Sequence, residues 1–138
     1  MESESIVLKE YEISFFSSPS LWETIDFALR GEKRAVFIVT DSNLADLYFC
    51  SQYPHYVLTH PGEHNKCMAE YEKILEWMIS LNLDWSTILI AFGGGVVGDL
   101  GGFIASSFLR GIDLMHIPTS ILAMCDSSIG GKVGIDSP

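Results

Sequence analysis

The chain carries Gly93-Gly94-Gly95-Val96-Val97-Gly98-Asp99 between two apolar stretches, Ile88 to Phe92 before it and Leu100 to Leu109 after it. A strand, a glycine turn and a helix in that order form a cradle for a diphosphate. Glycine lets the backbone turn tightly and lets a phosphate approach the amides. The spacing Gly93-x-Gly95-x-x-Gly98 fits a dinucleotide-binding turn literally. The acidic residue expected about twenty positions on is absent, because His116-Ile117-Pro118-Thr119 occupies that place. An ordinary Rossmann unit is therefore excluded. The competing reading is a structural glycine turn that packs a helix onto a sheet. Asp99 either caps that helix or accepts a hydrogen bond from a ribose or nicotinamide.

Further polar chemistry is concentrated downstream, in Arg110-Gly111, Pro118-Thr119-Ser120 and Asp126-Ser127-Ser128-Ile129-Gly130-Gly131-Lys132. Arg110 offers a planar fork for phosphate or carboxylate. Lys132, in a glycine-rich loop, offers a point charge to an anion. Asp126 can orient a hydroxyl or take part in proton transfer. The bland alternatives are a surface arginine, a solvated lysine and a helix-end aspartate. Asp41 closes an apolar run and is suited either to ribose hydroxyls or to capping the next helix. Glu63 and Lys66 are three apart, an ordinary ion-pair spacing as well as a ligand one. His116 reads as a core histidine and Cys125 as a core cysteine. His55, His60 and His64 lack the spacing of a zinc site.

The elements around these residues alternate. Ile6 to Phe16 reads as a strand. Ser18-Pro19 reads as a helix start, with Leu21, Trp22, Ile25, Phe27, Ala28 and Leu29 apolar and Gly31 as a C-terminal cap. Ala35 to Asp41 and Tyr56 to Thr59 read as buried parallel strands, with a short helix over Asn43 to Phe49 between them. The segment Glu63 to Leu81 reads as one helix, with Cys67, Tyr71, Ile74, Leu75 and Met78 on its apolar face. A strand over Thr87 to Phe92, a helix from about Asp99, a strand over Ile112 to Ile117 and a short helix from Thr119 complete the series. The pattern predicts a single α/β domain, residues 1–138. Its sheet is open, mostly parallel and Rossmann-like, with helices on both faces and ligands at the carboxyl ends of strands.

Composition narrows the function. Of the 138 residues, 48% are apolar and 19% charged, a globular balance. The formal net charge of −10 argues against nucleic acid as a partner and requires any anion to be held by local donors. No apolar run reaches the ~20 residues of a membrane span. The acidic N-terminus is not a signal peptide, and the three cysteines have no metal spacing and suit a reducing compartment, so a cytoplasmic location is expected.

Four segments together resemble 3-dehydroquinate synthase: Gly93 to Leu100, Phe108-Leu109-Arg110-Gly111-Ile112, Ile117 to Ala123, and Asp126 to Lys132. The match continues more thinly through Ile38 to Asn43 and Gly62-Glu63 with Lys66. The resemblance implies a shikimate-pathway lyase of chorismate and aromatic amino-acid biosynthesis. Such a lyase converts 3-deoxy-D-arabino-heptulosonate 7-phosphate into 3-dehydroquinate and phosphate. It uses NAD transiently, and a divalent metal, zinc or cobalt, polarises the alcohol being oxidised. Carried over by position, Asp41 meets the adenosine ribose, with Glu63 and Lys66 nearby on the nucleotide. Gly94, Gly95 and Val96 line the diphosphate, Asp99 lies on the nicotinamide side, and Thr119, Ser120 and Leu122 touch NAD. Asp126 and Lys132 match substrate contacts. Arg110 matches a phosphate contact that a second subunit supplies, so a homodimer is implied. Ser120 stands where threonine is usual, and Gly101 where alanine is common, a small expected cost to the helix. The resemblance covers only the family's N-terminal, nucleotide-binding part. The family's metal ligands belong to a C-terminal helical domain and have no counterpart here, so the chain alone is expected to be inactive. The alternatives are another sugar-phosphate cyclase, a metal-dependent polyol dehydrogenase, and a non-catalytic nucleotide-binding fragment.

Overall fold

The structure, a computed structural model, describes residues 2–8, 11–17, 21–29, 31–48, 52–60, 62–129 and 134. It divides into two compact units, Met1–Lys33 and Arg34–Pro138. The first contains an antiparallel hairpin, β1 (Glu2–Val7) and β2 (Glu12–Ser17), and a helix, α1 (Leu21–Ala28). The single strand expected over Ile6 to Phe16 is thus a hairpin. Its turn closes with Leu8 N–H donating to Tyr11 O at 2.8 Å, which interrupts the alternation that one strand would show. The expected helix start at Ser18-Pro19 lies outside the described residues. Gly31 has a φ of +80°, the conformation of a C-terminal glycine cap.

The second unit holds a parallel sheet. Its strands are β3 (Val36–Asp41), β4 (His55–Leu58), β5 (Ile88–Gly93) and β6 (Asp113–Pro118), in spatial order β4-β3-β5-β6. The register aligns Ile38 with Ile90 and Ala91 with His116. Three helices make the crossovers: α2 (Ser42–Tyr48), α3 (Met68–Ser80) and α4 (Gly95–Ser107). The first crossover leads from β3 outward to β4, and the second returns across β3 to β5. Right-handed connections then place α2 on one face of the sheet and α3 and α4 together on the other. Tyr71 of α3 meets Phe103 of α4 edge-on at 5.1 Å, and its hydroxyl lies 2.8 Å from Ser107 Oγ.

The continuous apolar runs became β3 and β5 because both faces of these central strands are covered. Phe37, Val39, Leu89 and Ala91 join Ile74, Met78, Val97, Leu100 and Ile104 in one buried cluster, and Ile38 and Ile90, on the other face, are buried as well. Each of these side chains other than Ala91 contributes about 1.5–3 kcal/mol. Tyr56 of β4 donates its hydroxyl to Glu70 of α3 at 2.9 Å. Burial, together with that carboxylate, pushes the hydroxyl up to about 12, so it stays a neutral donor. No helix among the described residues is long and apolar enough to cross a membrane.

Two helix expectations need correction. The helix expected over Glu63 to Leu81 breaks into a 3-10 turn, Glu63–Asn65, and α3, with Cys67 extended between them. The buried Asn65 side chain donates to the carbonyls of His60 and Gly62, which stabilises the tight turn against a continuous helix. The helix expected from about Asp99 starts at Gly95, because the glycines read as a loop form its first turn.

Candidate nucleotide-binding site

The order β4-β3-β5-β6 reverses the direction of winding between β3 and β5. In open parallel sheets the crevice at the carboxyl ends of such a strand pair is where ligands bind. Asp41 ends β3 and Gly93 ends β5, so this chain puts both at that crevice.

The turn after β5 is shaped by contact as well as by conformation. A Cβ on Gly93 would lie 2.7 Å from both Cβ and Cγ2 of Val97, so only glycine fits beneath the first turn of α4. Gly94 is the N-cap, and a Cβ there would meet only Ser120 Oγ, at 3.7 Å. The first helical bond runs from Gly98 N–H to Gly94 O at 3.0 Å. The amides of Gly95, Val96 and Val97 therefore have no partner within the helix, no side chain caps them, and no acidic residue lies in the first turn. Together with the helix dipole they favour an anion. Gly101 closes α4 onto β5: a Cβ there would lie 2.8 Å from Ala91 Cβ. The small helix cost expected at Gly101 is thus secondary to a packing requirement.

Lys66 stands in the break before α3 and turns toward α4. Its ammonium is 3.0 Å from Asp99 Oδ2 and 3.4 Å from Glu63 Oε2. The hydrogen bond with Asp99 leads the causes that hold the Lys66 ammonium above its ordinary range. The resemblance implies Lys66 on the nucleotide and Asp99 on its nicotinamide side, and here the two side chains form one pair. Asp41 Oδ1 accepts from Leu44 N–H at 3.1 Å, so Asp41 caps α2. Thr40, just before it, is buried with a hydroxyl that finds no partner among the described residues.

The turn after β6 borders the same edge of the sheet. Thr119 N–H donates to Gly93 O at 3.0 Å, and Ser120 Oγ accepts from Ala123 N–H at 3.2 Å. The short helix expected from Thr119 includes a π-helical turn, Ala123–Ser127, which contains the exposed Asp126. Such turns recur at functional sites. Leu122 is 73% exposed beside Ile121 at 80%, an apolar pair facing solvent. Cys125, expected in the core, is exposed, because the wider turn carries its side chain outward. Lys132 lies outside the described residues.

Arg110 is not part of this cluster. It follows the C-terminal end of α4, which has 13 residues and so carries the chain about 20 Å from Gly94 to the amino edge of the sheet. There Leu109 and Arg110 both adopt the left-handed region, at φ +47° and +72°, with Gly111 next at +111°. No group of three metal-ligating side chains is present among the described residues.

A family model described as 3-dehydroquinate synthase N-terminal matches residues 56–138. The chain is 39% identical over 144 aligned positions to the 3-dehydroquinate synthase of Clostridium botulinum (strain Alaska E43 / Type E3), covering 98% of this chain and 39% of that protein. It is 45% identical over 116 residues to the pentafunctional AROM polypeptide of Schizosaccharomyces pombe (strain 972 / ATCC 24843), covering 73% of this chain and 7% of that one. A solved 2-deoxy-scyllo-inosose synthase, complexed with carbaglucose-6-phosphate, NAD+ and Co2+, matches with a TM-score of 0.76 at 26% identity, over 99% of this chain and 40% of that one. The 2-epi-5-epi-valiolone synthase ValA of Streptomyces hygroscopicus subsp. jinggangensis 5008, with NAD+ and Zn2+ bound, matches at 0.67 and 26% identity, over 80% of this chain and 34% of that one. The chain spans less than half the length of each of these proteins. It belongs to the 3-dehydroquinate synthase family.

Proposed function

From that membership we propose that this chain is the nucleotide-binding part of a 3-dehydroquinate synthase, and that the whole protein converts 3-deoxy-D-arabino-heptulosonate 7-phosphate into 3-dehydroquinate and phosphate. The observation that carries the proposal is the uncapped N-terminus of α4 at the switch point between β3 and β5. The cradle fits a diphosphate: three amides without helical partners, a close approach over Gly94, and no carboxylate in the first turn. Bound NAD supplies reversible oxidation of a substrate alcohol. The amides of Gly95, Val96 and Val97 hold its diphosphate, and Asp41 offers its second carboxylate oxygen to the ribose while the first caps α2. Lys66 and Asp99 set the charge of the cleft, with Glu63 beside Lys66. Thr119, Ser120 and Leu122 flank the cofactor, and Asp126 and Lys132 meet the substrate. Arg110, at the far edge of the sheet, serves a substrate phosphate only from a second copy of the chain, which makes the working protein a dimer. The described residues offer no group of three ligands for zinc or cobalt.

A related sugar-phosphate cyclase is the second reading, favoured by the two solved cyclases that share the fold. The 39% identity to a dehydroquinate synthase against 26% to either of those cyclases favours the first.

Calorimetric titration of NAD into the chain and into Asp41→Ser tests the site. Serine keeps the cap on α2 but is too short for a ribose. Saturable binding that weakens about tenfold in Asp41→Ser, the worth of one charge-assisted hydrogen bond, is expected. A folded chain that binds no NAD contradicts the proposal.

A further inference from the structure

His116 lies in β6 with its ring against the first turn of α4. Its Nδ1 and Cε1 stand 3.5 and 3.6 Å from where a Cβ on Gly98 would be. The bare flank of Gly98 thus seats an imidazole next to Asp99, whose carboxylate is paired with Lys66. The ring is half-buried and makes no hydrogen bond among the described residues. Across the strand pair β5 presents the uncharged Ala91. Asp99 of α4 is the charged group whose field acts on the ring among the described residues, with Lys66 and Glu63 behind that carboxylate.

We infer that His116 is a positioning residue of the nucleotide site, controlling through Asp99 whether Lys66 is held or released. A neutral imidazole leaves the carboxylate to Lys66. An imidazolium competes with Lys66 for it, frees the ammonium toward an anion, and adds one positive charge beside the diphosphate cradle. Burial pushes the His116 imidazole below its ordinary value and Asp99 pulls it back, so the neutral ring dominates at pH 7 and takes up its proton on acidification. The inference rests on the nucleotide reading above.

Two measurements on the folded chain test it. The first is calorimetric titration of NAD at pH 7.5 and at the lower pH where NMR shows the His116 ring charged, a range in which the diphosphate itself does not titrate. Affinity is expected to tighten roughly three- to tenfold at the lower pH, the effect of one added charge at close range, and to stay flat in His116→Gln. Parallel pH profiles in the two proteins overturn the inference. The second is NMR titration of the His116 ring without nucleotide. Asp99→Asn is expected to lower its pKa, because the carboxylate that favours the imidazolium is gone. An unchanged titration overturns the inference whatever NAD does. A chain that binds no NAD at either pH defeats the nucleotide reading, and with it the positioning role, even if the NMR coupling to Asp99 is present.

Discussion

The two edges of the parallel sheet are built differently. At the amino edge the polar side chains satisfy one another. Arg34 and Asp113 form an ion pair at 2.5 Å, and Asp84 Oδ1 accepts from both the amide and the hydroxyl of Ser86. At the carboxyl edge polar groups are left over: the first amides of α4 are donors with no partner in the helix, and Asp41 uses one acceptor oxygen for a cap. Parallel strands all deliver their following loops to one edge, so the chemistry collects there while the other edge only has to close. The exception is Arg110, an exposed arginine in strained backbone on the closed edge. Two successive non-glycine residues in the left-handed region cost about 1–3 kcal/mol each. Arg110 is exposed there, away from the crevice of its own chain.

Substitutions can break or sharpen this contrast. Gly93→Ala at the carboxyl edge is expected to act most strongly. Its new methyl meets Val97 at 2.7 Å, so α4 must move, and denaturant unfolding is expected to show a loss of about 3 kcal/mol together with loss of NAD binding. Gly101→Ala comes next. Helix propensity alone predicts a gain of about 1 kcal/mol, but the 2.8 Å approach to Ala91 is expected to turn this into a net loss of about 1–2 kcal/mol. A stabilised Gly101→Ala would mean that α4 is not held this close to β5. Asp113→Asn at the amino edge is expected to change stability by no more than about 0.5 kcal/mol, since Asp113 is 70% exposed and water screens its pair with Arg34. A large loss there would show that the amino edge is structurally critical rather than merely closed.

Much of this was legible in the sequence. The apolar runs ending in Asp41 and entering Gly93 gave the two central strands and the crevice, because buried parallel strands need apolar residues on both faces. The sequence pattern predicts α4 from about Asp99, four residues after its actual start, because glycine has low intrinsic helix propensity and tertiary packing overrides it. The periodicity from Glu63 is continuous and predicts an unbroken helix. Only the contacts of Asn65 with His60 and Gly62 reveal the break that sends Lys66 toward Asp99. The Lys66–Asp99 pair spans 33 positions (66 to 99), and no local pattern signals it. Arg110 grouped with Thr119 and Asp126 by nearness in sequence, yet α4 carries it to the opposite edge.

The most direct test of the central claim, that the carboxyl edge alone holds the nucleotide, is to map backbone amide NMR shifts of the chain as NAD is added. The account requires the largest shifts at Gly94 to Val97, with further changes at Asp41, Lys66 and Thr119, and none at Leu109 to Asp113. Shifts centred on Leu109 to Asp113, or no shifts in a folded chain, would contradict it.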